Sequence, residues 1–272
     1  MHTSTRSYPA PGTPPALSLE SVSATYRDRG ETLLALDNVT LSIAPTEIVA
    51  LVGPSGSGKS TLLDIVSGLF PESSGSVRIE GEQLALERRL GHSAYMRQRD
   101  LLLPWRTALE NAVLALDASG AKRKPSREFA RQKFEEFGLA GFEDVYPAQL
   151  SGGMRQRVAF LRTILAGHSL LLLDEPFGAL DALNRVSMQN WLTSYWQKDR
   201  HPVLLVTHDV DEAVFLADRV LVLSARPGTI THEEEISLPR PRHRNLIASP
   251  EYSWHRARLL AALGLIDEVA AS

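Results

Sequence analysis

Gly53-Pro54-Ser55-Gly56-Ser57-Gly58-Lys59-Ser60-Thr61 follows the apolar run Ile48-Val49-Ala50-Leu51-Val52 and opens into Leu62-Leu63-Asp64-Ile65-Val66. The order is strand, loop, helix. Three glycines let the backbone curl so that successive N–H groups face an anion at a helix N-terminus, where the dipole already favours negative charge. Lys59 adds a full charge for β- and γ-phosphates, and Ser60 offers a hydroxyl to Mg2+. A chance match to G-x-x-x-x-G-K-[ST] is expected in about one chain per hundred of this length. With a strand before it and a helix after it, a mere surface turn is the poorer reading.

Working outward, bulk properties narrow the classes. With 43% hydrophobic residues, the 272-residue chain can bury a full core. A net charge of -3 argues against nucleic-acid binding, which favours a basic surface. Without cysteine there are neither disulfides nor thiolate metal sites. No apolar run reaches the roughly 18 residues of a membrane span, so the chain is expected not to cross one. The start is rich in Pro, Ser and Thr and lacks the apolar segment of a secretory signal. Residues 1–16 are therefore expected to be a disordered tail of a cytoplasmic protein.

Residues 17–26 and 33–43 alternate as strands, separated by the charged turn Arg27-Asp28-Arg29-Gly30-Glu31. Short strands are expected at 76–79 and 93–96. The middle of the chain has another texture. Thr107-Ala108-Leu109-Glu110 is a capping-box pattern opening a helix through Leu116, and Phe129, Phe134 and Phe137 suggest one face of a helix from about Ser126. Lys122-Arg123-Lys124-Pro125 reads as a solvated loop between them. Alternation then resumes: a helix at 154–166, a strand at 170–173, a helix at 182–198, a strand at 203–207, a helix from Asp211 and a strand at 220–223. Past the turn Arg226-Pro227-Gly228, a strand at 229–236, a basic solvated connector at 239–244 and a helix at 251–265 complete the pattern.

Parallel strands joined by helices gather functional groups at their carboxyl ends, and Gly53, Asp174, Glu175 and His208 all follow such ends. Asp174 is placed to support a cation bound with the nucleotide, and Glu175 to orient or deprotonate an attacking water. An adjacent Asp-Glu is ordinarily a surface pair; four preceding leucines and the upstream phosphate loop favour function here. His208 can hold the γ-phosphate and water in line, and Gln98 can offer its amide oxygen to metal or water. Tyr26 by itself reads as a packed strand residue. Leu150-Ser151-Gly152-Gly153-Met154-Arg155-Gln156 places a hydroxyl and two glycines at a second helix start, an anion-binding terminus with no ligand of its own. Two facing copies, each completing the other's site, would explain it.

Together these stretches resemble the nucleotide-binding subunit of ATP-binding cassette (ABC) transporters. Residues 53–61 look like Walker A, with Gly53, Pro54, Ser55, Gly56, Ser57, Gly58, Lys59, Ser60 and Thr61 on ATP. Residues 150–156 look like the LSGGQ motif, with Ser151, Gly152 and Gly153 on the nucleotide of the other copy; Met154 stands where that motif usually has Gln. Residues 170–175 look like Walker B, Asp181 in Ala179-Leu180-Asp181 like the D-loop, Gln98 like the Q-loop, His208 like the switch histidine and Tyr26 like the adenine-stacking aromatic. The resemblance implies an α/β fold: a P-loop NTPase (RecA-like) core with an antiparallel β subdomain and an inserted α-helical subdomain. The domain would span 17–228, with the helical insertion at about 99–160 and a C-terminal strand and helix extension at 229–272. It implies ATP and Mg2+, with Ser60, Gln98 and Asp174 toward the metal and Glu175, His208 and Gln98 catalytic. It further implies a homodimer, peripheral on the cytoplasmic face of the membrane, working with integral membrane permease subunits and indirectly a solute-binding protein.

A narrower resemblance lies in residues 102–111 and Ser224-Ala225-Arg226-Pro227-Gly228, which are similar to importers of nitrate, sulfonate, taurine and pyrimidine precursors. It implies that Leu101-Leu102-Leu103-Pro104-Trp105 borders a permease-binding groove; burial inside the helical insertion is the other account. Soluble ATPases of the superfamily need a second cassette or coiled-coil arms, for which this length has no room. A GTPase or small-molecule kinase shares only the phosphate loop, lacks support from an Asn-Lys-x-Asp motif and leaves residues 151–156 without purpose.

Overall fold

The structure, a computed structural model, describes residues 13–28 and 31–267. Most of the expected N-terminal tail, residues 1–12, and Arg29 and Gly30 of the charged turn lie outside the described residues. Ala16 is buried and donates its N–H to the Ile43 carbonyl at 2.8 Å, so sheet hydrogen bonding begins just before Leu17.

β1 (Leu17–Asp28) and β2 (Glu31–Ile43) pair antiparallel, Leu17 opposite Ile43 and Tyr26 opposite Leu33. From Val39 on, every second residue of β2 is buried, the period of a one-faced strand. β3 (Ile48–Val52) is buried at every position, and α1 (Lys59–Ser67) follows the glycine loop. β4 (Ser74–Ile79) and β5 (Glu82–Gln83) complete a four-stranded sheet of order β2-β1-β4-β5. After α2 (Leu86–Arg89), β6 (Ser93–Met96) begins the second sheet.

The helical segment departs from expectation in three ways. The capping box forms, Thr107 accepting from the Glu110 N–H and Glu110 from the Thr107 N–H, but it opens α3 (Ala108–Ala112) and not a helix through Leu116. Val113, fully buried, turns the chain at φ -90°, and α4 (Leu114–Ala118) continues with no buried residue. α5 (Arg123–Glu136) starts earlier than Ser126. The predicted solvated loop is therefore its N-cap, Lys122, and first turn, where Pro125 costs nothing because those N–H groups have no helical partner. Phe129 does not share a face with Phe134: five residues rotate a helix by about 140°. Phe134 and Phe137 are buried, whereas Phe129 is exposed with the Lys133 ammonium 5.7 Å from its ring centre.

α6 (Gly152–Leu165) leads to β7 (Leu170–Asp174), α7 (Ala182–Lys198), β8 (Val203–Val206), α8 (Val210–Leu216) and β9 (Arg219–Leu223). β10 (Ile230–Glu235) and α9 (Pro250–Ala262) end the described chain. The second sheet has the order β10-β9-β3-β8-β7-β6, parallel except for β10. Its two faces feed two cores. Ile48, Ala50 and Val52 of β3 join Leu171, Leu173 and the helical segment; Val49 and Leu51 join Leu170, Leu172, α1 and the antiparallel sheet. Burial on both faces is why these strands read as unbroken apolar runs.

The basic stretch after β10 is no solvated connector. Arg242 is buried and donates to the Val214, Phe215 and Ala217 carbonyls, satisfying the C-terminal end of α8, while Arg240 pairs with Asp218 at 2.9 Å and donates to the Leu216 carbonyl. Among the described residues, no helix is long and apolar enough to cross a membrane.

Candidate active site

The glycine loop leaves β3 at the carboxyl edge of the parallel sheet. Gly58 has φ +100°, and a β-carbon there would lie 2.6 Å from Leu36 Cδ2, so both backbone and packing require glycine. Lys59 is buried, its Nζ donating to the Gly53 and Pro54 carbonyls at 2.8 Å each. Burial pushes its pKa down, while Glu175 and Asp174 pull it up. The ammonium is thus fastened into the loop rather than extended into solvent.

Above the loop lies a cleft of about 380 Å3. Ser55, Gly56, Gly58, Lys59, Ser60 and Thr61 form its floor; Tyr26, Leu33 and Ala35 form one wall; Gln98, Glu175 and Arg226 line the rest. Gly53, Pro54 and Ser57 belong to the loop but not to that lining. The Tyr26 hydroxyl is 3.0 Å from Thr61 Oγ1, and its ring packs on Phe70 with centroids 4.4 Å apart. Tyr26 is thus both a packed residue and part of the cleft wall.

β7 and β8 are neighbours, so the residues that follow them meet. Glu175 Oε2 accepts from Gln98 Nε2 at 2.9 Å, and Oε1 lies 3.2 Å from His208 Nδ1. One carboxylate is bracketed by the two groups that the sequence pattern assigns beside it. Its backbone lies in the left-handed region, φ +46°, and its N–H donates to the Val206 carbonyl at 2.9 Å. That is a strained conformation for a residue before proline. Asp174 is buried; burial raises its pKa, Glu175 and Asp64 add to the rise, and a hydrogen bond with Ser60 and the Lys59 charge oppose it. Arg97, immediately before Gln98, reaches Asp64 of α1 at 2.7 Å and so ties the phosphate-loop helix to the glutamine.

Ser151, Gly152, Gly153 and Asp181 are not part of this lining. Ser151 caps α6, its Oγ accepting from the Met154 N–H at 3.2 Å, and Asp181 caps α7, accepting from the Asn184 N–H at 3.1 Å. The segment after Gln98 is bound to the same α6. Arg155 pairs with Asp100 at 3.1 Å, and Arg162 donates to the Asp100 and Leu101 carbonyls. Of the apolar stretch there, Leu102 is buried, whereas Leu101 and Trp105 are 52% and 71% exposed, which excludes simple burial for those two.

Sequence reasoning missed Leu33, Ala35, Phe70 and Arg226 around the cleft. The alternation of β2 hinted at the first two. Arg226 was legible as part of a turn, but its place at the cleft, like that of Phe70, depends on contacts far along the chain.

A family model described as "ABC transporter" matches residues 36–178. An uncharacterized ABC transporter ATP-binding protein of Methanocaldococcus jannaschii is 42% identical over 94% of this chain and 93% of its own length. An aliphatic sulfonates import ATP-binding protein of Paracoccus denitrificans is 42% identical over 95% and 96%, and a formylaminopyrimidine import ATP-binding protein of Halalkalibacterium halodurans 39% over 89% and 92%. Among solved structures, a dimeric ABC transporter cassette matches with a TM-score of 0.75 at 32% identity, covering 82% of this chain and 100% of that one; a post-hydrolysis form bound to ADP and phosphate scores 0.72 at 31%, with the same coverage. A glycine loop, a bracketed glutamate and full-length relatives thus converge: the chain belongs to the ABC transporter family, as an ATP-binding cassette with ATPase activity.

Proposed function

We propose that this chain energises import of a small organic or inorganic anion-type solute, such as nitrate, a sulfonate or taurine, as a homodimer on the cytoplasmic face of the cell membrane. Integral membrane permease subunits are its direct partners and a solute-binding protein an indirect one. The sulfonate-import relative supports the solute class, and the exposed Leu101 and Trp105 suit a helix of a permease. The formylaminopyrimidine-import relative favours a second reading, a pyrimidine or thiamine precursor.

The observation that carries the hydrolytic role is the Glu175 carboxylate held between Gln98 and His208 beside the phosphate loop. In this reading the loop N–H groups and Lys59 hold the nucleotide's phosphates and stabilise charge as the terminal phosphoryl leaves. Glu175 orients and deprotonates the attacking water, and His208 keeps water and carboxylate in line. Tyr26 stacks on the adenine. The donors near the loop fit Mg2+: Ser60 and Asp174 bring hard oxygen ligands, the hydroxyl of the one opposing the burial-raised pKa of the other, and Gln98, with its amide nitrogen on Glu175, has its oxygen to offer. Bound there, the cation would neutralise phosphate charge. Ser151, Gly152, Gly153 and Asp181, outside the cleft of their own protomer, would close the cleft of a second copy.

Glu175→Gln tests this. The variant should bind ATP normally, lose turnover by about 100-fold or more, and accumulate as an ATP-bound dimer in gel filtration. Hydrolysis at the parental rate would remove Glu175 from the base role, and a variant that stays monomeric with ATP would remove the shared site.

A further inference from the structure

Arg226 has no role in the motif assignments of the family pattern, being quoted only in residues 224–228 of the narrower resemblance, yet it lines the nucleotide cleft. It is exposed, in the turn between β9 and β10, and a β-carbon on Gly56 would lie 3.6 Å from its Nη2. Other arginines near the sheet are engaged by carboxylates: Arg97 by Asp64, Arg155 by Asp100, Arg185 by Asp209, Arg219 by Glu47. Among the described residues, the Arg226 guanidinium has no hydrogen bond, ion pair or ring contact.

The turn that carries it is fixed. Gly228 donates its N–H to the Ala35 carbonyl at 2.9 Å and accepts from the Asp37 N–H at 3.0 Å. Ser224 Oγ donates to the Pro227 carbonyl at 3.0 Å, and the Ser224 N–H to Thr229 O at 2.9 Å. Gly228 also lies so close to the phosphate loop that a β-carbon there would stand 2.1 Å from Ser57 O. A rigid mount therefore holds an uncommitted guanidinium beside the N–H groups that face phosphate.

We propose that Arg226 is a nucleotide-binding residue whose guanidinium contacts the phosphate chain of ATP. The planar fork matches phosphate oxygens, and charge-assisted bonds of this kind are stronger than neutral ones. Because the side chain has no partner to abandon, the contact is gained on binding without an internal one being lost. The assignment rests on the nucleotide site described above.

The test is ATP titration by calorimetry on the full chain, with thermal midpoints measured without nucleotide. Arg226→Ala should weaken ATP binding about tenfold, as expected for one charged phosphate contact, with Arg226→Lys intermediate. The nucleotide-free midpoint should not move, since the side chain supports nothing in the fold. Lys59→Ala serves as the comparator. Wild-type protein that fails to bind ATP would overturn the site itself. Wild-type binding that is lost in Lys59→Ala but unchanged in Arg226→Ala would overturn the Arg226 assignment alone. Unchanged ATP affinity with weakened self-association would also overturn it, in favour of contact with a second copy. A lowered nucleotide-free midpoint would overturn it in favour of a structural role.

Discussion

Replacing Gly228 by alanine tests whether the phosphate loop is held from its side by the turn after β9. The φ of Gly228 lies outside the left-handed region, so the backbone alone would accept alanine. The obstacle is contact. The new methyl carbon would stand 2.1 Å from Ser57 O and 3.0 Å from Leu223 Cδ2, against about 3.5 Å for an unstrained contact. The turn must therefore retreat by roughly 1.4 Å, which breaks the Gly228 hydrogen bonds to Ala35 and Asp37. At about 1 kcal/mol each, the loss is about 2 kcal/mol. For a chain of this size that lowers the thermal midpoint by about 4–8 °C. Because Ser57 belongs to the phosphate loop, saturating ATP should also stabilise the variant less than it stabilises wild type. Thermal unfolding with and without ATP reads both effects. A midpoint within about 1 °C of wild type, with an unchanged ATP increment, would refute the claim that the turn braces the loop.

Two further outcomes are expected. Arg97→Ala and Asp64→Asn should each lower kcat several-fold, about 3- to 10-fold, with little change in KM and little loss of stability, because the pair is partly exposed. The double variant should be no worse than either single one, whereas additive losses would show that the pair does not act as a unit. Glu212 is buried, and burial raises its pKa against the opposing hydrogen bond from Thr207 at 2.7 Å. The native state then binds its proton more readily than the unfolded chain, so stability falls as pH rises from the ordinary carboxylate value, 4.5, through the raised native one. Glu212→Gln keeps an acceptor for Thr207 and escapes that loss. Urea midpoints should show it more stable than wild type at about pH 8 and level with it below the window, and a variant less stable than wild type at about pH 8 would contradict the sign.

The parallel core was legible because a strand buried on both faces needs no alternation, and residues 48–52 and 170–173 show none. The rim could be read for the same reason: Asp174 and His208 follow such runs, and neighbouring parallel strands bring their ends together. Phe129 failed because an aromatic residue is hydrophobic wherever it points, and only the helix phase decides its face. Arg242 failed differently. A local pattern of Pro and Arg says solvent, while the carbonyls that need those donors belong to the end of a helix 25 to 28 residues earlier in the chain. The backbone of Glu175 left no trace at all, since its residue type carries no preference for the left-handed conformation it adopts.

The arginines under α8 have one more consequence. That helix has seven residues, too few to persist without support, and it begins just after His208. Arg242 steadies its far end, while the Tyr252 hydroxyl of α9 donates to the Asp211 carbonyl at 2.9 Å near its start. The chain beyond β10 thus serves as a splint for the histidine's own helix. Clipping the chain after β10, which leaves the turn beside the phosphate loop intact, would unseat His208 while that loop, its helix α1 packed in the other core, stayed in place.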